Sequence, residues 1–521
     1  MSGDPGKGAG VRTRLAMLAR LAEPITWDIV VIGGGATGLG CAVDAAARGY
    51  SVLLVEARDF AKGTSSRATK LVHGGVRYLA QAQLPLVREA LAERARLLDN
   101  APHLVHPLRF VVPAYRFRDK PMLAAGLGLY DLLAGRRGIA RSQVLDAART
   151  VAALPTVQPR GLRGGIAYWD AQFDDARLAL ALARTVADLG GVALNYCPVT
   201  GLILEGGRVA GVEITDAETG ARFKVSGRAV VNATGVWADD VRRMARADAP
   251  RMLKPSQGVH LVVDAGFLPG KDALLIPQTD DGRVLFMIPW QGKCLLGTTD
   301  TPRSDRPLEP EPLPGEIDFI LETARRYLVR APSSADVRSI FAGMRPLIGA
   351  GDASLTRQLS REHLVDVSAE GLISVLGGKW TTYRLMAEDA IDVAQSLARL
   401  PKRYSGTADL RLHGALAGSM DPYGSDREAL DRIQGADVRL MQDASLTEAE
   451  VRYAVRAEQA RTVEDVLARR HRALFQDARV AQALAPAVAD LMADELARDA
   501  DWVATQVAEF SALADHYLPP S

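Results

Sequence analysis

Cysteine is scarce: Cys41, Cys197 and Cys294 are the only three, far apart and with no CxxC pair. That pattern argues against a disulfide framework or a thiolate zinc site and fits a reducing cytoplasm. Histidine is scarce too. Its one close pair, His103 and His106, sits in a Pro-containing turn and reads as local packing, and neither an HExxH nor an EF-hand loop occurs. An excess of charge is also missing. Lys plus Arg is 63 and Asp plus Glu is 62, so no nucleic-acid footprint appears. No stretch approaches the roughly 18 uninterrupted apolar residues of a membrane span. The first 24 residues carry Lys7, Arg12, Arg14 and Arg20, but Leu15 to Leu18 is too short for a secretory core. A frayed tail leading into a short helix is expected there.

What is present is a chain of 521 residues, long enough for more than one core. Trp27 to Ile32 reads as a buried strand, followed by the G-x-G-x-x-G of Gly33, Gly35 and Gly38. A helical pattern runs from Leu39 to Arg48, Gly49 ends it, and the apolar run Ser51-Val-Leu-Leu-Val55 closes on Glu56. This is a full βαβ unit, a stronger signal than a lone glycine motif. Gly33 permits the tight turn, Gly35 lets the backbone approach a pyrophosphate at the helix N-terminus, and Gly38 lets helix and strand pack closely. Glu56 is placed to accept from the ribose hydroxyls of an adenosine half, and its charge disfavours a 2′-phosphate.

Two later segments bear on which dinucleotide binds. Val230-Val-Asn-Ala-Thr-Gly235 is a strand entering a small-residue turn, and Leu372 to Gly378 is a strand with a Gly-Gly turn before Lys379 and a helix start. A helix N-terminus there suits negative charge developing on a reduced flavin.

The most specific segment is Gly63-Thr-Ser-Ser-Arg-Ala-Thr-Lys-Leu-Val-His-Gly-Gly-Val-Arg-Tyr-Leu79. It resembles the T-S-S-x-x-S-K-L-x-H-G-G-x-R-Y-L signature of the FAD-dependent, quinone-linked glycerol-3-phosphate dehydrogenases. Further similar blocks are Ala101 to Leu104, Tyr168-Trp-Asp170, Asp174 to Leu178, Ile288-Pro-Trp290, Gly297 to Asp300, Gly343 to Leu347, Gly377 to Arg384 and Thr462 to Arg470. The resemblance spans roughly residues 25 to 515. Thr69 replaces the family serine and keeps its hydroxyl.

The resemblance implies one extended FAD held by Gly33, Gly35, Gly38, Glu56, Thr64, Ser65, Ser66, Thr69, Lys70, His73, Gly74, Gly75, Ala233, Gly235, Gly378, Lys379 and Thr382. It implies sn-glycerol 3-phosphate as substrate, a membrane quinone as acceptor, and peripheral attachment to the cytoplasmic face of a bacterial inner membrane; a homodimer is compatible with it. Arginine suits a phosphate dianion. Arg77, Arg345 and Arg361 lie on three family-like segments expected to converge on the substrate, with Tyr78 lining the same pocket. Taken singly, each arginine reads as a solvated face. His260, Arg345 and Lys379 are the expected catalytic groups. His260 fits a base by its ordinary pKa, whereas Lys379 would need a strongly lowered one, and the residues alone leave that choice open.

The expected fold is α/β: a Rossmann-like FAD-binding domain, an antiparallel-sheet substrate domain and an all-helical C-terminal domain. After a tail at 1–24, the oxidoreductase region covers 25–400. Its FAD-binding parts are 25–82, 157–255 and 370–400, its substrate parts are 83–156 and 256–369, and helices fill 401–521. Val199 to Ile214 reads as a hairpin turning at Gly206-Gly207. Thr447 with Glu450 and Thr462 with Asp465 read as helix caps, and Leu484, Val488, Leu491 and Met492 form a stripe of core packing. Met122 to Leu133, flanked by Arg116, Arg118, Lys120, Arg136 and Arg137, suits either a lipid interface or a core helix with a basic rim. Competing functions are a glycerol-3-phosphate oxidase, a related FAD amine oxidase and a non-catalytic flavoprotein.

Overall fold

Trp27 to Ile32, apolar on both faces, lies in the strand Thr26–Ile32 inside an eight-stranded sheet. A parallel strand covered on both sides needs a continuous apolar run, not alternation. It pairs in parallel with Val52–Val55 on one side and Arg222–Asn232 on the other. Val192–Leu194 follows beyond the first; Ile373–Gly377 and then His363–Val367 follow beyond the second. The expected hairpin is Val199–Glu205 with Arg208–Thr215, attached antiparallel to Arg222–Asn232. Helices Ala36–Ala47, Asp175–Asp188 and Tyr383–Leu397 share one core with this sheet. The computed structural model describes residues 13–79, 83–277, 279, 284–349, 363–442 and 444–520.

A ten-stranded sheet forms the second layer. Its longest pairing joins Leu253–Asp264 to Val337–Ile348, antiparallel, with His260 opposite Phe341 and Ser256 opposite Arg345. Two differences from the sequence reading follow. The sheet is not wholly antiparallel, because Ala273–Ile276 runs parallel to Val105–Ala114. And Gly164–Phe173, expected with the FAD-binding part, pairs with Val105–Ala114 in this second sheet. The chain thus rejoins the first sheet's core through the helix Asp175–Asp188, later than 157.

Beyond residue 400 the chain is mainly helical. Thr447 and Glu450 form a reciprocal capping box on Glu448–Glu458. Asp465–Arg470 winds as a π-helix, with the Thr462 hydroxyl accepting from the Asp465 amide. Val451, Leu484, Val488 and Met492 join one core with Phe110, Ile288 and Phe341 of the second sheet. A charged seam fastens this region to the first sheet. Asp59, fully buried, receives both Arg469 and Arg470, and these two cations hold its carboxyl below the usual range. Arg177 pairs with Glu458 at 2.7 Å.

The expected short helix is Arg14–Leu21, docked on the body: Met17 and Leu21 are buried and Arg14 reaches Asp216 and Glu218. Residues 1–12 lie outside the described residues. The helix Asp119–Ala134 has two characters. Leu127, Tyr130 and Ala134 are buried in the core, while Met122 is 65%, Leu129 38% and Leu132 76% exposed. Among the described residues no helix is long and apolar enough to cross a membrane.

Candidate active site

A cavity of about 650 Å³ is lined from both sheets. At one end stands the glycine turn. Gly33 has φ +110°, and a Cβ there would come within 2.7 Å of the Ala233 carbonyl oxygen. A Cβ on Gly38 would lie 1.9 Å from the carbonyl oxygen of Gly33, so only glycine lets helix and turn close up. Gly35 caps the helix Ala36–Ala47, whose N-terminus meets the cavity. The Ser65 hydroxyl accepts from the Ala36 amide at 2.9 Å, tying the signature segment to that helix start. Glu56 ends the second strand; its carboxylate accepts from the Gly34 amide at 2.6 Å and the Arg58 amide at 2.8 Å, while burial pushes its pKa up. These features fit a dinucleotide laid along the turn with its pyrophosphate at the helix end.

The second strand–turn–helix faces the same cavity. Gly377 and Gly378 hold φ of +72° and +86°, and Lys379 precedes the helical turn Trp380–Thr382 that leads into Tyr383–Leu397. Trp380 Nε1 donates to the Ser65 carbonyl at 2.8 Å, joining the two flavin-side segments. His260 lines the cavity, stacked on Phe341 at 4.9 Å and 16°. Its Nε2 meets the Thr69 hydroxyl at 2.9 Å, and its buried Nδ1 has no hydrogen-bond partner among the described residues. Burial first, then the charges of Arg345 and Lys70, hold its pKa well below the usual value, so the ring is neutral. Arg345 also lines the cavity. It donates to the Gln257 carbonyl and Asp300 at 3.1 Å each, to Thr298 Oγ1 at 3.1 Å and to the Thr299 carbonyl at 3.0 Å.

The expected cofactor residues Gly33, Gly35, Glu56, Thr64, Ser65, Thr69, His73, Ala233, Gly235, Gly378 and Lys379 all line this cavity. Others do not. The Lys70 ammonium is turned inward and satisfied by Asp175 at 2.7 Å and the Ser66 carbonyl at 2.8 Å, so this side chain is directed away from the cavity. Ser66 is buried and offers its carbonyl to Lys70 and Arg472. The Gly74 amide is committed to the Tyr130 hydroxyl at 2.8 Å, and Gly75 also stands outside the lining. At the last helix start Thr381 faces the cavity and Thr382 is buried behind it. Gly38 acts by packing, as its spacing suggested. The backbone of Arg77 and Tyr78 forms part of the helix Val76–Leu79. Arg361 lies outside the described residues.

Sequence reasoning missed several lining residues. Arg306 and Leu308 come from the proline-rich stretch read only as a loop, and Arg306 donates to the Val236 carbonyl at 3.2 Å and to Asp240. Arg67 and Trp237 line it too. No local signal marks Arg306 and Leu308, because a loop residue reaches a cavity through tertiary placement alone; Arg67 stands inside the signature segment, at a position where the pattern carries no fixed residue.

Comparison with known proteins agrees with this geometry. Residues 28–384 match the family described as FAD dependent oxidoreductase, and residues 345–502 match the C-terminal domain of alpha-glycerophosphate oxidase. The mitochondrial glycerol-3-phosphate dehydrogenase of Macaca fascicularis is 40% identical, over 93% of this chain and 72% of the relative. The glycerol-3-phosphate dehydrogenase of Mycobacterium leprae is 39% identical, over 98% of this chain and 91% of its own. The crystal structure of glycerol-3-phosphate dehydrogenase from Bacillus halodurans, complexed with FAD, superposes with a TM-score of 0.80 at 30% identity, covering 98% of this chain and 99% of that one. A cavity built for an extended dinucleotide and a match of this length lead to one statement: the chain belongs to the FAD-dependent glycerol-3-phosphate dehydrogenase family.

Proposed function

We propose that the protein oxidises sn-glycerol 3-phosphate to dihydroxyacetone phosphate and passes the electrons to a quinone. The observation that carries this reading is a neutral, buried His260 in the same cavity as Arg345, Lys379 and the two glycine turns. When bound, FAD supplies at N5 the acceptor for the hydride leaving C2. His260 accepts the proton of the C2 hydroxyl, which requires an unprotonated ring. Arg345, anchored by Asp300, and Lys379 give positive charge for the substrate phosphate and for alkoxide character at C2. Arg77, Tyr78 and Arg361 complete the substrate pocket in this reading. Glu56 receives the adenosine ribose hydroxyls, and the start of the helix Ala36–Ala47 takes the pyrophosphate.

A quinone dissolved in lipid has to be served at a bilayer surface. The outer face of the helix Asp119–Ala134 offers Met122, Leu129 and Leu132, with Phe117 exposed just before it. Arg116 and Arg118 precede the helix, Arg136 and Arg137 follow it, and all four are exposed. Each contributes about 1 kcal/mol near anionic headgroups. This supports peripheral attachment to a cytoplasmic membrane face.

The test is anaerobic addition of sn-glycerol 3-phosphate to the holoenzyme. Bleaching of the flavin spectrum with formation of dihydroxyacetone phosphate is expected, followed by reoxidation with a soluble quinone much faster than with oxygen. No bleaching would remove the substrate assignment; faster reoxidation by oxygen would make the protein an oxidase.

A further inference from the structure

Lys70 sits where the signature segment was expected to touch the cofactor, yet its side chain is fully buried and points away. Three acceptors take its three protons: both oxygens of Asp175, at 2.9 and 2.7 Å, and the Ser66 carbonyl at 2.8 Å. Its ammonium also lies 5.0 Å from the ring centre of Phe341, 5.3 Å from Phe475 and 5.4 Å from Trp290. Lys70 adopts φ +62°, a conformation rare for a side-chain-bearing residue, so the anchored side chain holds a backbone that would otherwise relax.

Asp175 grips the chain on both sides of Thr69. Its Oδ2 accepts from the Ala68 amide at 2.9 Å as well as from Lys70. Arg472, from the helical C-terminal region, adds bonds to Asp175 Oδ1 at 3.2 Å and to the Ser66 carbonyl at 2.8 Å. Thr69 is thereby fixed, and its hydroxyl is the group that meets His260 Nε2. Phe341 completes the link, touching the His260 ring and the Lys70 ammonium alike.

We infer that Lys70, Asp175 and Arg472 are positioning residues for His260, fixing its ring through Thr69 and Phe341 and setting the charge it feels from behind. Lys70 is therefore not a cofactor ligand but the centre of a support that the C-terminal region completes. The inference rests on His260 being the proton acceptor. The charged groups facing His260 are Arg345 from the strand Val337–Ile348 and Lys70 from the signature segment; Asp175 and Arg472 stand behind Lys70, with Asp174 4.0 Å from Arg472. Burial pushes Lys70 down to about 7, against the pull of Asp175, so below pH 7 its charge is present.

The experiment is flavin reduction at saturating sn-glycerol 3-phosphate, read against pH in anaerobic stopped flow with the FAD-loaded full chain. Lys70→Met removes the cation at similar length. Its acid limb is expected about one pH unit above that of the wild type, because His260 loses a repelling charge, and Lys70→Arg should return the limb towards the wild-type position. A uniform loss of rate at every pH with an unmoved limb would reduce Lys70 to ordinary packing and overturn the inference. Should Lys70→Met not yield folded holoenzyme, Lys70→Gln carries the same test with the same sign. Its limb should lie above that of the wild type, and an unmoved limb overturns the idea. A His260→Asn variant that reduces flavin at the wild-type rate would instead sink the base assignment on which the inference stands.

Discussion

Replacing Arg345 with alanine probes the substrate pole most directly. The guanidinium shares its charge with Asp300 at 3.1 Å and leaves 21% of its side chain exposed. Its attraction for a phosphate is therefore weaker than that of an isolated buried arginine. A charge-assisted hydrogen bond is worth about 1.5–3 kcal/mol, and the shared charge and exposure argue for the lower end, about 1.5 kcal/mol or roughly tenfold in kcat/KM. A second effect has the same sign. Asp300, with only 5% of its side chain exposed, loses the Arg345 cation and keeps the Ser256 hydroxyl. Its negative charge, no longer offset by Arg345, would repel a phosphate dianion. Arg345→Ala should therefore cut kcat/KM by at least about tenfold, and Arg345→Ala with Asp300→Asn should recover part of the loss. The assay is anaerobic flavin reduction across substrate concentrations, with FAD content measured in parallel. If kcat/KM stays within about threefold of wild type while FAD remains bound, the arginine is not at the substrate and the reasoning fails.

Acid precipitation should release the yellow cofactor into the supernatant, because Cys41, Cys197 and Cys294 are buried away from the cavity lining; colour retained in the pellet would contradict noncovalent binding. Replacing Leu129 and Leu132 with Ser should weaken binding to anionic vesicles and leave reduction of a soluble dye intact. A variant that unfolds yet still binds vesicles would place the 119–134 helix wholly in the core. The lowered pKa of His260 means the ring stays neutral as pH falls past the ordinary histidine range near about 6.5. kcat at saturating substrate should thus stay flat from about pH 8 to about pH 6; an acid limb at or above about 6.5 would show an unburied base or a different one. Saturating substrate matters because a phosphate monoester itself titrates near about pH 6.

The βαβ unit was legible because each of its parts has a local signature: a continuous apolar run for a strand covered on both faces, three glycines at fixed spacing, and a terminal acid. The hairpin at Gly206-Gly207 and the Thr447 cap were legible for the same reason. The inward turn of the Lys70 side chain was not legible, because its neighbours in the signature face the cavity, and only the φ of +62° and the carboxylate of Asp175, 105 residues away, turn it inward. The place of Gly164–Phe173 in the second sheet was not legible because a strand's partner is a long-range fact; its apolar pattern serves either layer. Arg306 and Arg472 carried no local sign of their contacts, the first lying in a proline-rich loop and the second just past the Thr462 to Arg470 block.

The pairing of Asp59 with Arg469 and Arg470 bears on how the chain can be cut. Asp59 follows the second strand of the dinucleotide unit, while its counter-ions come from some 410 residues downstream. A chain stopped near residue 400 would leave that carboxylate without either cation. Removing the partners of a buried charge costs about 3–5 kcal/mol, a large share of the roughly 5–15 kcal/mol that keeps a folded protein together. The helical end is thus no detachable appendage. A nascent chain cannot bring Asp59 its two cations until residue 470 has left the ribosome, so termination before that point should yield material for proteolysis rather than a smaller working flavoprotein.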